Sequence, residues 1–185
     1  MYRLFVAIDL PSQIKDQLLR LSGGVPGAHW LGAPQMHLTL RFIGEVDGGV
    51  FQDAIDALRE VKSDPFELTL KGMGHFPPRK RPEQIWVGVP QSEALTILHN
   101  RIESALARAG MPRDNRKFTP HVTLAHMRAT KESRVAAFIA EYNLYESEPF
   151  PVTEFQLFSS VLSSQGALHE VEAVYPLNGK GLEPA

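Results

Sequence analysis

His37-Leu38-Thr39-Leu40 and His121-Val122-Thr123-Leu124 are two copies of one pattern, His-x-Thr-Leu, and they stand far apart in the chain. Because alternate side chains of an extended strand point to the same face, each copy puts a histidine and a threonine on one face and two aliphatic side chains on the other. The pattern therefore predicts two half-buried strands, each presenting a titratable imidazole beside a hydroxyl. Two such units indicate a site with two matched halves.

The two halves of the chain are similar beyond the motifs. Pro65-Phe66 follows His37 at the same distance along the chain as Pro149-Phe150 follows His121. In each half, a stretch with the apolar spacing of a helix lies between the motif and the Pro-Phe pair. Equal spacing across loops that tolerate insertions indicates a duplication. The predicted repeat units cover residues 37–90 and 121–175.

Apolar periodicity, with glycine and proline as boundaries, predicts the order β-α-β-α-β-β-α-β-α-β-β. A pair of strands follows Pro-Phe in each half, and such pairs between helices favour an antiparallel α+β fold over a parallel doubly wound sheet. Gly44 is predicted to end the first motif strand. Strands are predicted at 2–10, 36–43, 66–70, 85–89, 120–127, 155–158 and 168–174, and helices at 12–22, 48–61, 92–109 and 132–142.

Length and composition predict one globular domain. With 185 residues, of which 43% are hydrophobic and 22% charged, the chain has the composition of a folded protein rather than a disordered one. We expect a single two-lobed domain over residues 1–178, followed by a loose tail at 179–185. We also expect a monomer, because the sequence suggests neither a coiled coil nor a dominant apolar surface stripe.

Charge and cysteine content exclude several classes of function. The net charge of −2 argues against non-specific binding to duplex nucleic acid, so a nucleic acid must be held locally, at an end or at one nucleotide. The absence of cysteine excludes disulfides, thiolate metal sites and cysteine nucleophiles, and it fits the cytoplasm. We expect no membrane span, because no apolar run reaches roughly 18–20 residues. The apolar stretch 2–10 has the pattern of a strand and not of a signal peptide.

The two histidines can supply acid–base chemistry. Two strands related by a repeat can face one another, which would place His37 and His121 across a cleft. Since histidine titrates near neutral pH, one imidazole can act as a general base while the other acts as a general acid. The hydroxyls of Thr39 and Thr123 would then hold a phosphoryl group and stabilise the charge that develops on its oxygens.

Other site chemistries have little support in the sequence. A catalytic zinc normally has a third protein ligand, and acidic residues do not cluster at either motif: Glu45 and Asp47 follow the first, and none follows the second before Glu132. The chain also lacks a Gly-x-Ser-x-Gly elbow, a P-loop and a Gly-x-Gly-x-x-Gly turn. We therefore expect neither a metal ion nor a cofactor.

Met36–Glu45 and Phe118–Ala125 resemble the paired signatures of the two-histidine phosphoesterases. Within that superfamily, the chain looks most like the LigT-like RNA 2′,3′-cyclic phosphodiesterases, historically called 2′-5′ RNA ligases. The resemblance also includes the opening Arg3–Ile8, the Gly74-x-Phe76-Pro77 turn and the strand Ile85–Gly88. It implies a bilobal α+β fold, in which two antiparallel sheets related by a pseudo-twofold axis are each flanked by helices, with the active-site cleft between the lobes.

The resemblance also implies a reaction and assigns roles to the motif residues. It implies hydrolysis of the 2′,3′-cyclic phosphate at an RNA end to a 2′-phosphomonoester, without a metal, with ligation through a 2′-5′ linkage as the reverse reaction. His37 matches the proton donor of the family and His121 the proton acceptor. Thr39 and Thr123 match the hydroxyls that bind the phosphate. The implied partners are single-stranded RNA ends, such as those of tRNA in RNA processing, or small cyclic nucleotides.

One position departs from the family pattern. Relatives commonly carry an arginine two residues after the leucine of the second motif, where this chain has His126. A guanidinium binds a phosphate through two parallel hydrogen bonds, whereas an imidazole does so only in part and only when protonated. Arg41, Arg116 and Arg128 are the candidates to replace it, and Arg41 is favoured because it alternates in phase with His37 and Thr39.

Aromatic side chains can stack on the base of an RNA end without reading its sequence. Phe76 and Trp30 are the candidates for such stacking, and the loop arginines Arg79, Arg81 and Arg116 are candidates for RNA contacts. By alternation, Phe42 is predicted to lie in the core, as is Trp86. The remaining histidines, expected to be structural or surface residues, are His29, His75, His99 and His169.

Two other functions are compatible with these motifs. One is a phosphodiesterase that acts on a small nucleotide, such as a cyclic phosphate of ADP-ribose. The other is a non-catalytic protein that only binds RNA ends. The basic segments 79–81 and 113–117 favour a longer RNA slightly, and the intact histidines and threonines argue against a protein that only binds.

Overall fold

The computed structural model describes residues 1–179, so the predicted tail lies outside the described residues from position 180 onward. All four predicted helices and all seven predicted strands are present, and three short strands, β2, β5 and β8, were not predicted. The helices are α1 (Ser12–Leu21), α2 (Gly48–Arg59), α3 (Glu93–Arg108) and α4 (Glu132–Tyr142). The strands are β1 (Tyr2–Asp9), β2 (Ala28–Trp30), β3 (His37–Val46), β4 (Phe66–Leu68), β5 (Met73–Phe76), β6 (Gln84–Gly88), β7 (His121–Met127), β8 (Phe150–Val152), β9 (Glu154–Ser163) and β10 (Gly166–Pro176).

Pairing between these strands is antiparallel throughout, which confirms the predicted α+β class. Eight strands form one sheet in the order β10-β9-β1-β3-β7-β6-β5, with β2 beside β7, and β4 pairs with β8 in a separate sheet. The motif strands β3 and β7 meet through the single pair Leu38 and Val122. This narrow junction divides the large sheet into two four-stranded halves, which form the two lobes.

The predicted pairing of strand 66–70 with strand 85–89 is wrong. β4 pairs with β8, so the two Pro-Phe segments lie together, whereas β6 pairs with β5 and β7. The motif strand β3 lies in the half that contains the β9–β10 hairpin, and β7 lies beside the β5–β6 hairpin. Each lobe therefore combines the motif strand of one predicted repeat unit with the hairpin of the other unit.

The main hydrophobic core lies between the sheet and the helices. On β1, Leu4, Val6 and Ile8 are buried and belong to this core. Helices α2 and α3 contact each other and β3, and α4 contacts β5. A separate small cluster of Phe5, Ala7 and Phe158 covers the opposite face of β1 and β9. Because the helices cover one face, the other face of the motif strands is left for the site.

Both motif strands contain a β-bulge at the leucine of their motif. On β3, Thr39 pairs with Ala7 and Arg41 with Val6, so Leu40 is an extra residue. On β7, the same shift makes Leu124 the extra residue, between the Thr123 and Ala125 pairs. A bulge reverses the alternation of the side chains that follow it. The faces predicted beyond each leucine are therefore reversed.

The first motif strand also extends beyond the predicted end at Gly44. β3 runs to Val46, and Gly44 has a φ of 93° inside the strand, next to a second shift in register after Phe42. Glycine adopts this left-handed conformation without the steric cost that a Cβ atom imposes. Gly44 thus permits a bulge where its position in the sequence suggested a turn.

The β9–β10 hairpin carries a group of exposed aliphatic side chains. They are Val161, Leu162, Leu168, Val171 and Val174, each about half exposed or more. The expectation of a monomer relied on the absence of such a group, so that argument does not hold for this hairpin. Within residues 1–179, no helix is long and apolar enough to cross a membrane.

Candidate active site

The two motifs open onto one cleft, made of two adjoining cavities. His121 lines a cavity of about 700 Å³, and His37 lines one of about 400 Å³. The residues common to both cavities are Thr39, Phe42, Gln84 and Thr123. The four motif residues that the sequence singled out therefore lie around one cleft, with the two threonines between the two histidines.

His37 is almost fully buried at the start of β3. Its Nε2 lies 3.9 Å from Asp9 Oδ1, an oxygen that Lys15 Nζ also contacts at 2.8 Å. The imidazole packs against Phe158 and His169, with ring centroids 4.5 and 5.3 Å away. Burial lowers the pKa of His37 to about 4, although the Asp9 carboxylate opposes this effect. An anion held beside the ring would act like Asp9 and favour the protonated form.

His121 is oriented by the backbone just before its strand. Its Nδ1 lies 2.6 Å from the carbonyl oxygen of Thr119. Because a carbonyl only accepts hydrogen bonds, Nδ1 carries the proton and Nε2 of the neutral ring has a free lone pair. Burial lowers the pKa of His121, although the bond to Thr119 opposes this effect. At neutral pH the ring is therefore a neutral imidazole with its acceptor nitrogen free, as a general base requires.

Gln84 was missed by sequence reasoning, and it lies between the two motifs. It is the first residue of β6, and its Oε1 lies 3.5 Å from Thr123 Oγ1. The side-chain amide lines both cavities, so its NH₂ group can donate to an oxygen held there. A polar residue at the start of an apolar strand was the only signal, and it became informative only once β6 was seen to pair with β7.

The alternation that favoured Arg41 as a phosphate ligand fails at the Leu40 bulge. Arg41 is only 7% exposed, and each of its three nitrogens has a protein acceptor. Nη1 donates to Glu103 Oε2 at 2.6 Å, and Nη2 donates to the carbonyl of Pro112. Glu103 in turn accepts from the backbone N–H of Asp114. Arg41 borders the larger cavity, but these bonds tie β3 to the loop that precedes β7, and its contact with phosphate remains a prediction.

The bulges bring Phe42 and His126 to the cleft. Phe42, predicted to lie in the core, is 42% exposed and lines both cavities. Its ring is stacked on Phe5 with the centroids 5.9 Å apart. His126 follows the Leu124 bulge as Phe42 follows the Leu40 bulge, and it lines the cavity of His37. The departure from the family pattern is thus located in the cleft itself.

His29 lies beside His126 and is part of the same cavity. The two residues are paired across β2 and β7, and both line the cavity of His37. Burial lowers the pKa of His126, and the neighbouring His29 lowers it further. Arg128 lies in a neighbouring cavity of about 410 Å³ that His29 and His126 also line, and it is not among the residues that line the cleft. His29, expected to be a structural or surface residue, therefore borders the cleft.

Arg3 and His169 complete the wall of the smaller cavity, and neither was predicted there. The Arg3 guanidinium carbon lies 5.6 Å from the centroid of the Phe42 ring, a cation–π arrangement. His169 is on the β9–β10 hairpin, which reaches this wall because β9 pairs with β1. That pairing joins opposite ends of the chain, so local sequence carried no signal for it.

Aromatic residues surround His121. Phe76 lies edge-on to the imidazole at 4.8 Å between centroids, and it lines the larger cavity as predicted for a stacking residue. Trp86, predicted to lie in the core, is only partly buried, and its ring centroid lies 6.1 Å from that of His121. The indole takes up the space next to Gly74, where a Cβ atom would lie 2.3 Å from its ring. Gly74 is therefore required for this arrangement.

Trp30, the other stacking candidate, faces away from the cleft. On β2, His29 faces the cleft, so the next residue, Trp30, points to the helix side of the sheet. Its ring packs against Phe138 of α4 at 5.2 Å between centroids. The prediction that Trp30 contacts a base is wrong, because the extra strand β2 fixes its direction.

The loop 111–119 forms the outer wall of the larger cavity. Phe118 is stacked on His99, with the ring centroids 3.9 Å apart and the planes parallel within 1°. His99, expected to be a structural or surface residue, therefore borders the cleft. Arg116 also lines the cavity, but it is paired with Asp114 at 2.8 Å. This pairing lowers the pKa of Asp114 to about 2.

Arg79 and Arg81 are exposed in the loop between β5 and β6 and line neither cavity of the cleft. Their contact with RNA remains a prediction. His75, at the end of the same hairpin, also lies outside both cavities. Within residues 1–179, no three side chains of histidine, cysteine, aspartate or glutamate are grouped to hold a metal ion.

The chain is similar to known proteins over most of its length. Residues 10–162 match the 2'-5' RNA ligase superfamily. The RNA 2′,3′-cyclic phosphodiesterase of Archaeoglobus fulgidus is 30% identical over 171 residues, which cover 91% of this chain and 96% of that protein. The Escherichia coli protein of the same name is 34% identical over 163 residues, covering 85% of this chain and 86% of its own.

A solved structure is similar over almost the full length. The crystal structure of E. coli LigT complexed with 3′-AMP has a TM-score of 0.78 and 28% identity, and the match covers 96% of this chain and 98% of that one. The resemblance inferred from the two motifs is confirmed, since both the family match over most of the chain and the two curated relatives support it. The chain belongs to the 2'-5' RNA ligase superfamily.

Proposed function

We propose that the chain hydrolyses the 2′,3′-cyclic phosphate at an RNA end to a 2′-phosphomonoester, without a metal ion. The relatives named RNA 2′,3′-cyclic phosphodiesterase support this activity, and the E. coli LigT complex with 3′-AMP supports a nucleotide as ligand. The observation that carries the proposal is the cleft around which both motifs lie, with each histidine in its own adjoining cavity and the two threonines in common.

His121 is the general base in this proposal. Its Nδ1–H is held by the Thr119 carbonyl, so Nε2 is the nitrogen that can accept a proton. A water molecule attacks phosphorus while Nε2 takes its proton. The bond from phosphorus to the 3′-oxygen breaks on the opposite side, and the bond to the 2′-oxygen remains. The product is a 2′-phosphomonoester with a free 3′-hydroxyl.

His37 is the general acid, and it donates a proton to the departing 3′-oxygen. Only His37 of the two motif histidines has a carboxylate close by, Asp9 at 3.9 Å, and this charge favours the imidazolium form. The asymmetry supports the same assignment as the family resemblance. The phosphate itself adds a second negative charge next to the ring, which raises the pKa of His37 above its low value of about 4 in the free protein.

Thr39 and Thr123 hold the non-bridging oxygens of the phosphate. Their hydroxyls donate without adding a positive charge, Thr123 by exchanging its long bond to Gln84 Oε1 for one to the phosphate, and the NH₂ group of Gln84 is a further donor in both cavities. Phe42, which borders both cavities, is the aromatic surface on which a base can stack next to a ribose on the His37 side, and Phe76, beside His121, borders the larger cavity only. With the 5′-hydroxyl of a second RNA end in place of water, the same attack would break the bond to the 3′-oxygen, which His37 protonates, and join the two ends through a 2′-5′ linkage.

A small cyclic nucleotide is the second candidate substrate. It is favoured because the basic residues that were expected to contact a longer RNA are either outside the cleft or already paired. Arg79 and Arg81 border neither cavity, and the charge of Arg116 is paired with Asp114. We further propose a cytoplasmic monomer: one chain supplies all the residues of the cleft, and the chain has no cysteine.

The test is turnover of a 2′,3′-cyclic mononucleotide in excess EDTA by the wild-type protein and by His121→Ala. We expect turnover by the wild type and a loss of about two to four orders of magnitude in kcat in the variant. His75→Ala is the matched control, because this histidine lies outside both cavities. Tight binding of the nucleotide without turnover by the wild type would contradict hydrolysis and indicate a protein that only binds RNA ends.

A further inference from the structure

We infer that the cavity beside His37 is a second phosphate site, which binds a phosphate on the 5′-oxygen of the same nucleoside that carries the cyclic phosphate. The inference relies on the proposed function, since it places the cyclic phosphate between the two motifs. It adds a second recognition element to the substrate, one that an unphosphorylated nucleoside 2′,3′-cyclic phosphate lacks.

The side chains of this cavity fit an anion. Arg3 and four histidines line it: His29, His37, His126 and His169. Among the lining residues that the structure describes, none is an aspartate or a glutamate. A pocket with one permanent cation, four groups that gain positive charge on protonation and no carboxylate is complementary to a phosphate.

The direction of the reaction places the ribose on this side of the cleft. Attack and departure occur on opposite sides of phosphorus, so water lies near His121 and the 3′-oxygen lies near His37. The 3′-oxygen belongs to the ribose, and the ribose therefore extends from the threonines into the cavity of His37. A phosphate on its 5′-oxygen then comes next to Arg3, His126 and His169.

Two side chains of this wall, His169 and Arg3, have bonding capacity that the described chain does not use. His169 Nδ1 is buried, and no residue of the described chain accepts or donates a hydrogen bond to it. Within the described chain, Arg3 forms no salt bridge. A buried polar atom without a partner costs free energy, and a rotation of the imidazole that turns Nδ1 into the cavity would let the protonated atom donate to a phosphate oxygen.

The site should bind more strongly at low pH. Burial lowers the pKa of both His126 and His169, so these rings become cationic only in acid or next to an anion. The charged and titratable groups that face them are Arg3 from β1, His29 from β2, and His37 from β3 with its neighbour Asp9. On the hairpin, Glu172 accepts a hydrogen bond from Ser159 and is not part of the cavity.

The experiment compares one nucleoside 2′,3′-cyclic phosphate with and without a 5′-phosphate. We expect kcat/KM to be about tenfold higher or more for the 5′-phosphorylated form at pH 6, the value of one charge-assisted contact, and the ratio to be smaller at pH 8.5, where His126 and His169 are neutral and Arg3 alone supplies the charged contact. A dinucleotide that ends in the cyclic phosphate has a phosphodiester at the same position. A larger effect of the diester would indicate RNA as the source of the second phosphate, and a larger effect of the monoester a small nucleotide.

Single substitutions test the residues. His126→Gln and His169→Gln should each lower the ratio of the two kcat/KM values towards one, whereas His75→Gln, outside both cavities, should leave it unchanged. The ratio cancels losses in folding or chemistry, because both substrates meet the same variant. A wild-type ratio of one at both pH values, or a ratio unaffected by both variants, would overturn the inference.

Binding separates this inference from the proposed function. By calorimetry at pH 6, a nucleoside 2′,5′-bisphosphate should bind about tenfold more tightly than the 2′-phosphate, whether or not the protein turns over a cyclic phosphate. If hydrolysis is absent but this difference is found, only the proposed reaction fails. If hydrolysis is present and the two ligands bind equally, only the second phosphate site fails.

Discussion

Arg41→Met is expected to destabilise the protein by about 3–5 kcal/mol, since the substitution leaves the Glu103 carboxylate buried without its cation. The pair has a nitrogen-to-oxygen distance of 2.6 Å, and both side chains are less than a tenth exposed, so solvent screens little of the interaction. Methionine fills most of the space of the arginine stem, which limits the cavity term. For a domain of this size, the loss corresponds to a decrease in Tm of roughly 6–20 °C.

The same substitution should weaken substrate binding. Arg41 and Glu103 hold the backbone at Pro112 and Asp114, and the loop that follows carries the cleft residue Phe118. Releasing this loop should raise KM through the displaced Phe118 and lower kcat through Thr119, whose carbonyl orients His121. Thermal unfolding followed by circular dichroism measures the first effect, and steady-state hydrolysis of a cyclic mononucleotide measures the second.

Two further variants make the prediction specific. Arg116→Met removes an exposed ion pair from the same loop, and it should change the free energy of unfolding by less than about 1 kcal/mol. The double variant Arg41→Met/Glu103→Met should recover much of the lost stability, because it removes the unpaired buried charge. If Arg41→Met were no more destabilising than Arg116→Met, the reasoning about the buried pair would be refuted.

The remaining predictions concern the histidines and the cleft wall. Replacing both His37 and His121 by alanine should cost much less than the product of the two single losses in kcat, because acid and base act as one unit; a multiplicative loss would contradict the shared mechanism. The profile of kcat/KM against pH should be bell-shaped with its maximum below pH 6.5, since burial lowers the pKa of both histidines, and the maximum of kcat should lie at higher pH once phosphate raises the pKa of His37. Gly74→Ala should lower Tm and activity together, because the added Cβ would lie 2.3 Å from the Trp86 ring; unchanged values of both would show that the indole moves at little cost.

The fold class and the central residues of the site could be predicted from the sequence. Both motifs end at bulges, so His37, Thr39, His121 and Thr123 lie before any disturbance of the alternation, and their common face was predicted correctly. The helices could be predicted for a similar reason, because the apolar spacing that marks a helix involves only residues close together in the sequence.

The positions of the residues beyond the bulges could not be predicted from the sequence. Strict alternation gave Arg41 the same face as His37 and Thr39 and put Phe42 in the core, whereas the extra residue Leu40 leaves the Arg41 side chain buried and Phe42 exposed in both cavities. A bulge depends on how a strand is paired, and the pairing partner is remote in sequence. Gln84 and His169 were missed for the same reason, since β6 and β10 reach the site only through pairings between distant segments.

The central claim is that water opens the cyclic phosphate on the side of the 3′-oxygen, with no metal and with His121 as base. The most direct measurement is ³¹P NMR of the products formed from a nucleoside 2′,3′-cyclic phosphate in H₂¹⁸O with excess EDTA. We predict the 2′-phosphomonoester as the sole product, with one ¹⁸O atom on phosphorus, formed by the wild type and almost absent with His121→Ala. Formation of the 3′-phosphomonoester, or full activity of His121→Ala, would contradict the account.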